Sequence, residues 1–396
     1  MQPAAERMDE NTLANASLNT QALLAPLRQV RSLRALERHP HFRANRTAIE
    51  YILSTPQIYS PRTAPQPADH SFIRCVAWNI ERGIALDGIT TLLRTDRELA
   101  DHDVLLLTEV DHGMARSGNR NIAEDLAYAL DRYVVFGPAF LNLDKGNGAE
   151  TKADGENGEA LQGHAIVSRY PIEQVELVPL PNPKDHTAGK ERRIGHEQAL
   201  IATISTPNGV LHCASVHLSA HSSRRHRVKQ MKRVLQAMDR RSGPALIGGD
   251  WNTTTYNAHR AYRAILGFWR RVAMGVRHVM AHHYPYPERY FERPLFRTIR
   301  RHAFTLEEFN ISGGCTAHYD FSQDDIRHSL GDWVPQWCFR YIEWALRPHE
   351  GRISFKLDWF AGRNLRAERA NIVSGLPRNT DRLSDHDPIV VDVRLA

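Results

Sequence analysis

Six places in the chain put a carboxylate, an amide or an imidazole at or beside an apolar run. Asn79 ends CVAWN, Glu109 ends VLLLTE, His217 ends CASVH, Asp250 and Asn252 close ALIGGDWN, Asp358 lies in FKLDWF, and Asp385 with His386 precede DPIVVDVRL. Acids so close to buried backbone are costly unless they are paired, hydrogen-bonded or bound to metal. Taken singly each has a plainer explanation: Asn79 as a turn residue, Glu109 as a helix cap, His217 as a satisfied core histidine. Taken together the set is chemically coherent. It offers carboxylates for a hard divalent cation, two histidines for proton transfer or phosphate contact, and two asparagines as neutral donors to an oxyanion.

The elements that must hold these groups are short β-rich runs. Eight of them follow residue 71: FIRCVAWNI, HDVLLLTEV, GHAIVSRYPI, EQALIATIS, GVLHCASVHLS, PALIGGDWN, KLDWFAGR and DPIVVDVRL. Several are apolar throughout, as strands covered on both faces are. Between the fifth and sixth, Val228, Met231, Leu235 and Met238 mark one face of an outer helix, with Arg224, Arg225, Arg227, Lys229, Lys232 and Arg233 on its solvated remainder. Residues 1–70 read as an attachment. Leu23, Leu24, Leu27, Val30, Leu33 and Leu36 predict an amphipathic helix docked on the main body, and SPRTAPQPAD reads as a linker. Residues 144–163, rich in Gly, Asn and acid, read as a mobile surface loop; no GK[ST] follows their glycines, so they are not a phosphate-cradling P-loop.

The 396 residues, at roughly 150 per domain, allow two or three domains or one large one with additions. With 42% hydrophobic and 24% charged residues, the composition excludes wholesale disorder, collagen and coiled coil. No window approaches a membrane span and the N-terminus lacks a signal-peptide apolar region, which predicts a cytoplasmic protein with no integral span. Cys75, Cys213, Cys315 and Cys338 show no CxxC spacing and are expected to be reduced. The net charge of +6 is concentrated: residues 256–301 hold ten arginines against Glu288 and Glu292. Such a surface suits an anionic partner, whether nucleic acid, phospholipid head group or phosphorylated substrate.

The pieces WNIERG, LLLTEVD, SVHLSAH, GGDWN, KLDWF and LSDHDPI, in this order, resemble the endonuclease/exonuclease/phosphatase superfamily, which includes deoxyribonuclease-I-like nucleases, abasic-site endonucleases, neutral sphingomyelinases and inositol-polyphosphate phosphatases. The resemblance spans about Phe72 to Ala396, apart from the long insertion between Asn252 and Asp358, and leaves residues 1–70 unexplained. It implies a four-layer α/β/β/α sandwich of two mixed sheets with a metal site at one end. It also implies Glu109 as principal Mg²⁺ ligand (Mn²⁺ being an alternative), with Asn79 and Asp385 near the ion. Asp250 would position or deprotonate the attacking water, Asn252 and His217 would contact phosphate, and Asp358 would orient His386. Whether Asp250 or His386 is the base stays open at this level. Two departures stand out: Thr108 where many relatives have Gln, and His164 where Asn is common. Glu81 is either an outer ligand or the partner of Arg82 or another base. His278, His282 and His283 include an i, i+4 pair, but no HExxH glutamate or third ligand accompanies it.

The sequence thus predicts a helical extension over 1–70 and a catalytic domain over 71–396, the latter carrying a long insertion at about 256–352. The insertion interleaves its arginines with Tyr262, Phe268, Trp269, Tyr284, Tyr286, Tyr290 and Phe291. That pattern suits a nucleic-acid strand or a helical cap about equally, with a membrane surface as a further option. The expected activity is metal-dependent hydrolysis of phosphoric esters, with nucleic acid as leading substrate. A phospholipid or inositol-phosphate hydrolase is the alternative. A non-catalytic nucleic-acid-binding module would require a lost motif residue, and none of the central ones is missing.

Overall fold

The computed structural model describes residues 19–66, 68, 70–254, 257, 259–320, 336–377 and 382–396. Its strands in chain order are β1 (Gln57–Tyr59), β2 (Ile73–Arg82), β3 (Val104–His112), β4 (Tyr133–Asn142), β5 (Leu161–Ser168), β6 (Ile172–Pro179), β7 (Arg193–Gly195), β8 (Gln198–Thr206), β9 (Gly209–Val216), β10 (Ala245–Asp250), β11 (Ala317–Asp320), β12 (Arg352–Phe355), β13 (Asp358–Arg363), β14 (Leu365–Ile372) and β15 (Ile389–Leu395). The α-helices are α1 (Thr20–Leu24), α2 (Leu33–Arg38), α3 (Pro40–Ser54), α4 (Leu86–Thr95), α5 (Ile122–Leu130), α6 (Arg224–Met238), α7 (Ala261–Met274), α8 (Val276–His282), α9 (Arg293–Arg301) and α10 (Gln336–Leu346).

An eight-stranded sheet runs β1-β4-β5-β3-β2-β15-β14 with β7 joined to β4, and a five-stranded sheet runs β13-β10-β9-β8-β6. Both are mixed, because β2/β3 and β9/β10 are parallel among otherwise antiparallel pairs. Alternation along each strand divides its side chains between two cores. Ile73, Cys75 and Ala77 of β2 meet Leu200, Ala202 and Leu246 between the sheets. Val76, Trp78 and Ile80 point outward against Ile89, Leu93 and Leu126 of α4 and α5. On the other flank, Ile201, Ala214 and Val216 pack against Met231, Leu235 and Met238 of α6 and Phe296 of α9. The layers are therefore helix, sheet, sheet, helix, the predicted four-layer sandwich, and both-faced burial is why the strands read apolar throughout. Gly248 of β10 faces the other sheet closely: a Cβ there would lie 2.7 Å from Leu106 Cδ1 and from Phe360 Cε1.

Three departures from the sequence reading have local causes. The single N-terminal helix is three, α1 to α3, because Pro26 sits in a 3-10 turn after α1 and Pro40 opens α3, and a proline cannot continue a helix that precedes it. Leu33 consequently faces solvent, while Leu23, Leu27, Val30, Leu36 and Ile49 share a core with Trp78 and Leu107. Arg227 of α6 is fully buried and ion-paired with Glu292, so it belongs to the packed side of that helix. Within 144–163, Gly148–Lys152 forms a 3-10 turn closed by an Asn147/Glu150 capping box, and Glu150 accepts from Arg116 at 3.2 Å. The segment is a packed turn tied to the sheet.

The described part of 256–352 supplies α7 to α10, β11 and β12. Val279, Tyr284, Phe339, Leu346, Ile353 and Phe355 make a small core of their own. Its arginines are not uniformly free: Arg271 is buried over the Phe291 ring and Arg300 pairs with Glu307 at 2.6 Å. Cys75 and Cys213 are buried free thiols and Cys315 is a free thiol; the Cys338 side chain lies outside the described residues. No helix among the described residues is long and apolar enough to cross a membrane.

Candidate active site

The site lies where both sheets end. Asn79 and Glu109 sit at register shifts in β2 and β3, between Asn79/Arg82 and between Leu107/Val110. There Glu81, Arg82 and Glu109 take φ of +46°, +66° and +53°, and Asn252 beyond β10 takes +48°. Left-handed backbone at four non-glycine residues costs folding free energy, and it clusters where side chains must be re-aimed into one cleft. From the second sheet come His217, one residue past β9, and Asp250, the last residue of β10. Asp358 opens β13 instead of ending a strand, and antiparallel pairing sets it opposite Asp250.

Asn79 joins the sheets. Its Nδ2 donates to Glu109 Oε1 at 3.1 Å and to Asp250 Oδ2 at 3.2 Å, while its Oδ1 accepts from the Glu81 amide. Asp250 accepts further bonds from the backbone and side-chain nitrogens of Asn252 at 2.8 and 3.0 Å. His217 Nε2 lies 3.4 Å from Asp250 and 3.8 Å from Glu109. Burial opposes its charge, but the Asp250 hydrogen bond and the two carboxylates push it up to about 9. Burial would likewise raise Glu109, yet Arg82, His217 and Asn79 hold it below the usual carboxylate range.

His386 is clamped. Its Nδ1 is 2.7 Å from Asp358 Oδ2, its Nε2 is 3.8 Å from Asp250 Oδ2, and its carbonyl accepts from Trp78 Nε1. Burial disfavours the imidazolium, but Asp358, Asp250 and Asp385 outweigh it and push the ring well above the usual histidine range. Thr316 donates to the same Asp358 oxygen at 2.6 Å, and Ser384 bridges the Asn79 carbonyl and the His386 amide. Asp385 is half-buried on the cavity wall, its amide donating to Glu81.

The donor chemistry fits a hard cation. Burial, then the charge of Asp385, pushes Glu81 up to about 7 against the pull of Arg382 and Arg82. Crowded acids of this kind are relieved by a bound divalent ion, and Glu109, Asn79, Glu81 and Asp385 all present oxygen. Asp250, Asp358 and His386 also bring donor atoms within 4.8 Å of one another. His386 Nδ1 and Asp358 Oδ2 are already hydrogen-bonded to each other, so that trio reads as a hydrogen-bonded relay. The His278 ring lies 4.8 Å from that of His282, tilted, and 5.2 Å from that of His283, edge to face, and no further acid, His or Cys completes a metal-capable group with them among the described residues.

Several participants were not singled out in the sequence. Arg82 salt-bridges Glu109 at 3.2 Å and Glu150 at 3.0 Å; Glu81 instead pairs with Arg382. Thr316 and Glu150 carry no motif. Of the two departures, Thr108 is fully buried, and His164 lines the cavity with its ring 6.3 Å from that of His217. Burial and His217 hold His164 down at about 3, so it is neutral.

Two mixed sheets under outer helices, with carboxylates, amides and imidazoles converging at one end, define a hydrolase-type α/β sandwich. The sequence profile of the Endonuclease/Exonuclease/phosphatase family matches residues 76–386, and the chain belongs to that family. Among solved structures, an endonuclease/exonuclease/phosphatase from Beutenbergia cavernae is 19% identical with a TM-score of 0.52, covering 83% of this chain and 72% of its own. A family protein from Bacteroides vulgatus (14%, TM-score 0.45, 83% and 100% covered) and an AP endonuclease from Archaeoglobus fulgidus (14%, 0.45, 81% and 98%) are more distant. At such identities the likeness shows the fold alone. No curated protein matches the chain.

Proposed function

We propose that the chain hydrolyses phosphoric esters by metal-assisted in-line attack of water. The observation that carries this reading is the meeting of Glu109, Asn79, His217, Asp250, Asn252 and the Asp358–His386 pair at one sheet end, linked by Asn79 across the two sheets. Glu109, with Asn79 and Asp385, would hold Mg²⁺ or Mn²⁺, which when bound supplies charge neutralisation at the phosphorus. Asp250 orients the water and takes its proton. His217 donates to a non-bridging oxygen, and Asn252, whose Nδ2 is shared between the Leu218 carbonyl and Asp250, holds Asp250 in place beside the phosphate. The water oxygen bonds to phosphorus, the bond to the leaving oxygen breaks, and His386, fixed by Asp358, donates its Nε2 proton on that side. A ring clamped between two carboxylates is better suited to donating than to accepting, which favours Asp250 as the base.

The test is a hydrolysis screen over DNA, RNA, phospholipid and phosphomonoester substrates with Mg²⁺ and with EDTA. Turnover that appears with metal supports the reading, and undiminished turnover in EDTA overturns it. Nucleic acid, the leading substrate from sequence, is supported by the exposed arginines of 256–301. A second reading, a lipid phosphoester, is favoured by the apolar wall that adjoins the polar floor of the same cavity.

A further inference from the structure

We infer that this wall is a channel for a long hydrocarbon chain, so that the ester hydrolysed is an amphiphile taken from a lipid surface. The inference rests on the phosphoester-hydrolase reading and names its substrate class.

A single cavity of about 700 Å³ runs from the polar residues Glu109, Asp250 and His386 to a stretch lined by Ile265, Phe268 and Val272 of α7, Ile342 and Leu346 of α10, and Phe355 of β12. The α7 positions recur at i, i+3 and i+7, one face of the helix. None of these six side chains carries a donor or acceptor. A nucleobase placed among them would leave its polar edges unpaired, whereas an alkyl chain would leave nothing unpaired.

The outward faces of the same helices are apolar too. Tyr262, Leu266 and Trp269 of α7, and Trp337, Tyr341 and Trp344 of α10, are each 40–65% exposed. Both triplets follow helical spacing, and the stripes meet where Trp269 and Tyr341 lie edge to face at 5.3 Å. Trp269, Trp337 and Tyr341 also line the cavity, so the exposed rim is continuous with the channel. Arg263, Arg270, Arg340 and Arg347 stand exposed on and beside these helices. Aromatic side chains bordered by arginines are the composition that settles at a membrane interface, rings at head-group depth and guanidinium groups on anionic lipid. The rim is thereby placed to meet a bilayer and the channel to draw one chain out of it.

The experiment has two arms. In the first, methyl, butyl, octyl and dodecyl p-nitrophenyl phosphates are compared below their aggregation limits with Mg²⁺ present. Burial of each added methylene is expected to raise kcat/KM by about fourfold until the channel is full. Val272→Trp should collapse the dodecyl-to-methyl ratio. In the second, co-sedimentation in EDTA with vesicles of phosphatidylcholine, alone or mixed with phosphatidylglycerol, is expected to show binding that the anionic lipid strengthens and that Trp269→Glu with Trp344→Glu abolishes; both sites are exposed, so the fold should persist. Hydrolysis of the methyl ester with a flat chain-length series and no vesicle binding overturns the channel and leaves the hydrolase reading standing. Vesicle binding without hydrolysis of any member overturns the hydrolase reading, and the substrate class with it, and leaves only the membrane contact of the rim. Preferential binding of single-stranded DNA lost in the same double variant, or a stable dimer that the double variant dissociates, assigns the rim elsewhere and overturns the inference.

Discussion

Asp250 and Asp358 are register partners across β10 and β13, and the His386 ring lies between their carboxylates, 2.7 Å from one and 3.8 Å from the other. Two buried acids placed side by side would ordinarily force one to take a proton. The shared His386 ring eases that conflict, holding Asp250 below the usual carboxylate range while burial and the Asp250 charge still push Asp358 up, and it couples the residue assigned to water with the one assigned to the leaving group.

Because Asp358 acts through His386, the two should behave as a unit. His386→Ala is expected to lower kcat by about 10²–10⁴. Adding Asp358→Asn should cost little more, and KM should change far less than kcat. A double-mutant cycle with strictly additive losses would argue that the pair is not functionally linked.

Glu109→Gln should leave the fold intact, since the side chain is held by Arg82 and Asn79 and not by apolar packing. The metal concentration needed for half-maximal rate is expected to rise at least about 100-fold, beyond what loss of an outer-shell partner costs. Metal titration with circular dichroism as the fold control checks this.

The buried Arg227–Glu292 pair joins α6 to α9. Glu292→Ala should destabilise the chain by about 3–5 kcal/mol, because it strands a desolvated guanidinium. Arg227→Met combined with Glu292→Leu should recover most of that loss in urea unfolding. Failure to recover would mean the pair contributes more than charge neutralisation.

His102 is buried with Nδ1 on the Leu99 carbonyl; burial, reinforced by Arg132 and Arg169, holds it down at about 4 against 6.5 in an open chain. The unfolded chain therefore binds the extra proton between these values. The stabilisation is complete above pH 6.5 and is lost as pH falls toward 4, by an amount on the order of 3 kcal/mol. His102→Gln should flatten that part of the stability profile relative to the parent; an identical slope in both proteins would exclude the assignment.

What could be read from the sequence followed how local its cause was. All eight predicted runs contain a strand, and the side chains picked from their ends do meet, because strand burial and the residue that terminates it are adjacent in the chain. β4 lies outside those eight runs; Gly137-Pro138 interrupts its apolar pattern, and a register shift between Pro138 and Phe140 accommodates the proline inside the sheet. Arg227 looked like one more surface cation, for its partner Glu292 lies 65 residues away. Thr316 and Glu150 reach the site or its flank only through the fold, and no spacing announces them.

The side chains proposed to act together are divided between the sheets, Asn79, Glu109 and His386 on one and His217, Asp250 and Asp358 on the other, and Gly248 fixes how closely the halves approach near Leu106. On the proposed chemistry the core is thus a spacer whose thickness turnover would report. A methyl group at Gly248, away from any reacting atom, would pry the halves of the cleft apart, and slight thermal swelling would do the same. Inactivation on heating should then run ahead of the loss of far-ultraviolet dichroism, because the helices and strands can outlast the ångström-level alignment between two slabs.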